Sequence, residues 1–276
     1  MIFSLSKIFD VEILCKLFNF PRSSYYYRPK PRLVCSDYDE LIKGIFRESR
    51  SIYGTRKIQA KLLKLGFNVS RRKISNIMEI HELVSKYVKS RKSRIKTGTN
   101  YASYQNLVNR HFRGRAPFEV IAADVTYVYF GSCRYYLCIL VDIATRMIVG
   151  FSVDVEIGGM LVEEALASMN IDLSKIQIFH TDRGSEFNNI KINELLENNG
   201  ILRSLSNVSA PLDNAIVESL NNVVKIEWLF GLHIKNLAEF KESWSEYVFW
   251  YNNHRIHGSL GYETPIAYMK ILDKTS

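Results

Sequence analysis

The sequence predicts an α/β sheet domain preceded by a basic all-α region. Three observations carry this. From residue 116 onward, three neighbouring strand patterns are followed by alternating helix and strand patterns, which is how a sheet flanked by helices reads. Before residue 85 the segments with apolar periodicity read as short helices. The charge divides at the same place: residues 1–115 hold 25 Lys and Arg against 8 Asp and Glu, and residues 116–276 hold 12 against 20. A chain split like this has one half suited to a polyanion and another suited to different work.

In the basic half, residues 10–18 read as a short helix, and Pro21, Pro29 and Pro31 interrupt regular structure after it. Leu41, Ile42, Ile45 and Phe46 recur at helical spacing within residues 37–49. "YGTRKIQAKLLKLGF" turns at Gly54 and closes at Gly66, and "VSRRKISNIMEI" opens on Ser70 as an N-cap. Three short helices, the last beginning Arg71, Arg72, Lys73, resemble a helix-turn-helix unit whose basic start would face DNA; the other reading is a small helical domain with solvated Lys and Arg faces. The organisation expected is a short helical segment at 1–33, this unit at 34–85, and a basic linker at 86–115. The linker carries nine Lys and Arg and no acid, as expected of an extended segment lying along phosphates.

In the acidic half, "FEVIAADVTYVYF", "RYYLCILVDIAT" and "RMIVGFSVD" are strands. Residues 158–170 are a helix, "IQIFHTD" is a short buried strand, "IKINELLENNG" is a helix ended by Gly200, "ILRSLS" is a strand, and "DNAIVESLNNVVKIEWLF" is a long helix. Residues 116–276 are thus one domain with a C-terminal helical tail.

The totals exclude several classes. No stretch of about 18 uncharged apolar residues exists, so no membrane span is expected. Cys15, Cys35, Cys133 and Cys138 form no CxxC pair, which fits a reduced cytoplasmic compartment and argues against a zinc site. His254 and His257 are the one close His pair, and no Cys pair accompanies them.

Three carboxylates stand where chemistry could use them. Asp124 lies within an apolar strand, where a charge is costly unless compensated. Asp182 ends "IQIFHTD"; alone it reads as an Asx-type turn before Gly184. Glu218 lies in the long helix. Thirty-five residues separate Asp182 from Glu218, and 57 separate Asp124 from Asp182.

This arrangement resembles the DDE transposases and integrases, whose last two acids often show that spacing on an RNase H-like sheet. "HTDRGSEF" (180–187), "DNAIVESLNNVVKIE" (213–227) and "YNNHRIHGSLGYETP" (251–265) resemble three blocks of that family. "YGTRKI", "VSRRKI" and "RSSYYY" resemble the same proteins, so the likeness covers nearly the whole chain, that of an OrfB product of a bacterial insertion sequence. The resemblance implies an RNase H-like integrase catalytic core with a mixed sheet. It implies Asp124, Asp182 and Glu218 as catalytic metal ligands, with two Mg²⁺ or Mn²⁺ ions for cleaving DNA and transferring strands. It also implies as partners DNA (element ends and target), an OrfA subunit or fusion, and further copies of the chain on DNA, in a cytoplasmic, nucleoid-associated setting.

Lys225, two turns after Glu218, is by resemblance a contact to DNA near the cleaved bond; otherwise it is a surface lysine. Asn214 orients Glu218, touches DNA, or starts the helix beside a capping Asp213. Arg255 and His257 either touch DNA or brace the core. Two departures from the family pattern are Ile121, where Trp is frequent, and "SNVSAPLD" (206–213), where a basic, Gly-containing loop is usual. Two other readings are a non-catalytic DNA-binding regulator or defective copy, and an RNase H-like nuclease that cuts without joining.

Overall fold

The computed structural model describes residues 2–27, 37–89, 104–207, 211–229 and 231–274, with main chain only at 89, 211 and 212. Pro29, Pro31 and Cys35, the stretch 90–103 of the basic linker, and the centre of the 206–213 loop lie outside the described residues. The chain separates into two compact units, residues 1–39 and 40–276.

The first unit holds three short helices: α1 (Ile2–Leu5), α2 (Val11–Leu17) and α3 (Arg22–Tyr26). Asp10 caps α2 by accepting from the Glu12 and Ile13 amides at 2.7 and 3.4 Å. Glu12 pairs with Lys16 and Arg22. Phe3 stacks on Tyr25, whose hydroxyl donates to Ser6 Oγ at 2.7 Å.

In the second unit, α4 (Asp39–Glu48), α5 (Thr55–Lys64) and α6 (Arg71–Ile80) are the three helices read from periodicity. Ile42, Ile58, Leu62 and Ile74 are buried at the spacing that produces such a stripe. Ser70 caps α6 by accepting from the Lys73 amide. A short helix α7 (Lys86–Lys89) follows.

The sheet consists of β1 (Val120–Phe130), β2 (Cys133–Asp142), β3 (Ile148–Asp154), β4 (Ile178–Thr181) and β5 (Leu202–Leu205), in the order β3-β2-β1-β4-β5. β1, β2 and β3 form an antiparallel meander, while β4 and β5 run parallel to β1. Parallel strands need crossovers, and here these are α8 (Gly159–Ala167) before β4 and α9 (Ile190–Asn198) before β5. Gly200, at φ +69°, ends α9 in the left-handed region as its position after the helix requires.

Both faces of the sheet are covered, which is why β1 and β2 read as nearly continuous apolar runs. On one face Ile121, Ala123, Cys138, Leu140 and Phe179 pack with Leu161, Val162 and Ala165 of α8 and Ile192 and Leu196 of α9. On the other face lie α10 (Ala215–Glu227) and α11 (Leu237–Asn253), followed by α12 (Pro265–Asp273). There Phe130 and Tyr135 meet an aromatic cluster of Trp228, Phe240, Trp244 and Tyr247. No helix among the described residues is long and apolar enough to cross a membrane.

The described parts of the basic stretch, residues 86–89 and 104–115, differ from the extended linker its composition suggests. Residues 104–115 dock on the sheet domain. Leu205 donates its amide to Gln105 O, Leu107 donates to Ser204 Oγ at 2.9 Å, and Val108 is fully buried.

Candidate active site

β1 carries Asp124 on the face that meets α10. The register of β1 with β4 pairs Ala122 with His180 and Ala123 with Thr181, so the next step brings Asp124 level with Asp182. One strand contributes an acid from its middle and the other from just past its end, because β1 continues beyond the point where β4 stops.

Asp182 accepts from the Gly184 amide at 2.9 Å, so the Asx turn legible in the sequence is present and holds the carboxyl at the strand end. His180 supports this turn from below. It is buried, with its ring nitrogens 2.9 and 3.3 Å from the hydroxyls of Ser204 and Ser206, and burial pushes its pKa down to about 4.

Glu218 comes from the first turn of α10. Asn214, Glu218, Asn221 and Lys225 follow one another at 4, 3 and 4 residues and so share a helix face. Two of them fasten that face to β1: Asn214 Nδ2 donates to Ala123 O at 3.3 Å, and Asn221 Nδ2 donates to Asp124 Oδ2 at 2.5 Å. Glu218 stands between these anchors and is exposed, as is Lys225.

The electrostatics are those of uncompensated negative charge. Asp124 holds its proton well above the usual carboxylate range. Burial is the main cause, followed by the charge of Asp182, with Glu218 and Glu186 adding to it against the opposing Val125 amide. The carboxyls of Asp182 and Glu218 are also raised by burial, the latter further by the charge of Asp182. Glu186, in the 3-10 turn Ser185–Phe187, is raised by burial and then by Asp182. It is a fourth acid at the site that sequence reasoning did not select.

The donor set fits a hard divalent cation. Oxygen acceptors predominate, and the side-chain carbonyls of Asn214 and Asn221 are buried without a hydrogen-bond partner. The carboxylates are not gathered into a finished cage: among the described residues no three His, Cys, Asp or Glu side chains are grouped so as to hold a metal ion.

Several residues expected near DNA are buried in this structure. Arg255 is 5% exposed and His257 8%. Arg255 forms a two-pronged pair with Glu227, both bonds 2.7 Å, and its Nη1 lies against the His257 ring. Both side chains thus find their partners in the interior. Asn214 is 3% exposed and anchors α10 to β1. Asp213 does not cap the helix. It is buried, accepting from Arg110 Nε at 2.7 Å, Asn106 Nδ2 at 2.8 Å and the Asn207 amide at 3.1 Å, and so fastens the docked stretch to the start of α10. Arg71, Arg72 and Lys73 are exposed on the first turn of α6.

The sheet order, the two helical layers and a carboxylate group at the end of the shorter parallel strand define an RNase H-like catalytic core. Comparison with known proteins agrees. Two family models, both described as integrase core domain, match residues 114–211 and 199–265, and an HTH-like domain model matches residues 37–91. The 31 kDa protein of insertion element IS600 from Shigella sonnei is 30% identical over 92% of this chain and 97% of its own. The transposase of insertion sequence element IS629 from Shigella sonnei is 26% identical over 95% of this chain and 92% of its own. The putative transposase InsK of IS150 from Escherichia coli K12 is 26% identical over 96% and 95%. A solved structure of the HTLV-2 integrase catalytic core domain is 17% identical, covering 57% of this chain and 99% of that one with a TM-score of 0.45. The chain belongs to the insertion-sequence transposases of the DDE transposase and integrase superfamily. Its activity is that class's polynucleotidyl transfer on DNA.

Proposed function

We propose that Asp124, Asp182 and Glu218 are the metal-binding carboxylates with which this transposase cuts the ends of its element and joins them to target DNA. The observation that carries this reading is the strand register that sets Asp124 level with Asp182, with α10 pinned beside them by Asn221. Carboxylates that raise one another's proton affinity in a buried site are stabilised by a divalent cation, and a phosphodiester then finds a site it can approach.

Asp124 and Asp182 hold Mg²⁺ or Mn²⁺ from the strands. Glu218, exposed at the mouth, completes the set from the helix, in a site for two ions. Ions bound there would polarise the attacking and leaving oxygens of an in-line displacement. Asn221 keeps Asp124 oriented through its 2.5 Å hydrogen bond. Lys225, exposed on the same helix face, contacts the DNA backbone beside the reacting bond. Arg71, Arg72 and Lys73 contact phosphates from the start of α6. An OrfA subunit or fusion supplies recognition of the element ends, and several copies assemble on DNA in the bacterial nucleoid.

The test is a strand-transfer assay on the full chain, with its OrfA partner, labelled element-end DNA and Mg²⁺ or Mn²⁺. Joined products should appear with the wild type and vanish in Asp182→Asn and Glu218→Gln. DNA binding with no metal-dependent cutting or joining would overturn the reading, and cutting without joining would confine it to nuclease activity.

A further inference from the structure

Glu218 opens α10 and Glu227 closes it, about 13 Å further along one continuous helix. Glu227 is 1% exposed. Its carboxylate accepts from three places far apart in sequence: the Arg255 guanidinium, the Tyr87 hydroxyl on Oε1 and the Tyr247 hydroxyl on Oε2 at 3.2 Å. Its main-chain carbonyl accepts from Lys86 Nζ at 3.2 Å. Lys86 and Tyr87 belong to α7, directly after the three-helix region.

The same knot reaches further into that region. Tyr53, in the turn between α4 and α5, accepts from the Ile256 amide at 2.8 Å and donates to His254 O at 3.3 Å. Trp250 Nε1 donates to Glu48 O at 3.2 Å, the Lys86 amide donates to Ser51 O at 3.0 Å, and Arg50 lies over the rings of Tyr247 and Trp250. The knot thus joins the far end of the catalytic helix to the α4–α5 turn, to α7 and to the segment at 254–257. The Arg255–Glu227 pair supplies its opposite charges, and burial with neighbouring cations pushes the Lys57 amine down to about 8 and the His257 ring to about 2.

We infer that Glu227 is a positioning residue: it ties the helix bearing Glu218 to the DNA-reading helices, so that DNA seated on α4–α6 sets where Glu218 stands. This inference rests on the assignment of Glu218 to the active site. A buried carboxylate needed only for stability is satisfied by Arg255. The additional donors from α7 link it to the module that meets DNA, and Tyr87 is the part of the knot that can be removed with the ion pair left intact.

The experiment compares wild type, Tyr87→Phe, Glu227→Gln and Asp182→Asn as full-length proteins, measuring thermal midpoint, Kd for element-end DNA, and single-turnover strand transfer at saturating DNA. Tyr87→Phe should keep the wild-type midpoint within a few degrees and Kd within about twofold, while the transfer rate falls about tenfold, as expected when a reacting geometry loosens without loss of binding. Glu227→Gln should lose more rate than Tyr87→Phe. Should it not fold, Tyr87→Phe decides alone. A wild-type rate in Tyr87→Phe, or a rate loss matched by weaker binding or a lower folded fraction, overturns the inference. The site assignment is judged separately: an active Asp182→Asn removes the active-site reading, whereas an inactive Asp182→Asn beside a fully active Tyr87→Phe removes only the coupling.

Discussion

Asn221 donates to Asp124 at 2.5 Å from the turn of α10 that follows Glu218, so the strand acid is held by the helix that carries the third acid. Replacing Asn221 with Ala leaves a buried carboxylate oxygen without its donor, a loss worth about 1–3 kcal/mol. The expected outcome is lower stability in urea and a strand-transfer rate reduced about tenfold. Asn221→Asp should add repulsion at Asp124 that a bound cation relieves, and so shift the metal dependence to lower concentrations. An unchanged metal titration in Asn221→Asp would detach Asn221 from the site.

The acids should destabilise the metal-free protein at neutral pH. In Asp124, Asp182 and Glu218 the folded carboxyl binds its proton more tightly than the ordinary group does. For a raised carboxyl, the stability contribution is present below the unfolded pKa, near 4, and is lost as pH rises through the folded value. Asp182→Asn removes that loss while preserving the acceptor for the Gly184 amide. Its metal-free thermal midpoint at pH 7 should exceed the wild type's by a few degrees, about what 1 kcal/mol produces in a chain of this size. Saturating Mg²⁺ should raise the wild-type midpoint and leave Asp182→Asn little changed. Scanning calorimetry with and without metal checks both, and a lower midpoint for metal-free Asp182→Asn would contradict the account.

His257 should make the protein acid-sensitive. Burial, then the charges of Arg255, Lys57 and Arg146, push its ring down to about 2, so the folded state holds it neutral. A group that is protonated in the unfolded chain below about 6.5 but not in the folded one makes stability fall as pH drops below 6.5, continuing toward 2. The contribution of His257 to the denaturation midpoint should therefore decline from pH 7 to 4, against the opposing rise from the raised carboxyls. His257→Gln should show a shallower decline whatever its stability at pH 7. Parallel declines in the two proteins would assign the acid sensitivity to other groups.

The first turn of α6 should account for part of the salt dependence of DNA binding. If Arg71 and Arg72 each neutralise one phosphate, changing both to Ala lowers the slope of log Kd against log salt by about 2. The loss of affinity should be similar on specific and unrelated duplexes, because phosphate contacts carry no sequence information. Fluorescence anisotropy at several salt concentrations measures this. An unchanged slope would move the phosphate contacts elsewhere on the basic half.

Local elements were legible because their signals are local. Helices α4, α5 and α6 show a buried stripe at helical period, Ser70 caps where a serine precedes a basic turn, and β1 and β2 are apolar because both their faces are covered. The spacing of Asp124, Asp182 and Glu218 was visible as well. Glu227 was in view in "VVKIE", but nothing local separates a buried acid from a solvated one on an amphipathic helix. Arg255 and His257 posed the same difficulty from the other side, since a basic pair in a polar loop looks alike whether it faces DNA or an internal carboxylate. Asp213 resembled a cap because its partner Arg110 stands 103 positions away.

The sequence by itself determined the element types, the division into a basic half and an acidic half, and which three acids are candidates, because periodicity, charge and short motifs act over a few residues. Only the tertiary structure decided which acid stands level with which, that residues 104–115 dock on the sheet, and that Arg255 and His257 serve the interior. Those outcomes depend on strand register and on the cost of burying a charge without a partner. Both bring together residues tens to hundreds of positions apart, and no local pattern encodes such a pairing.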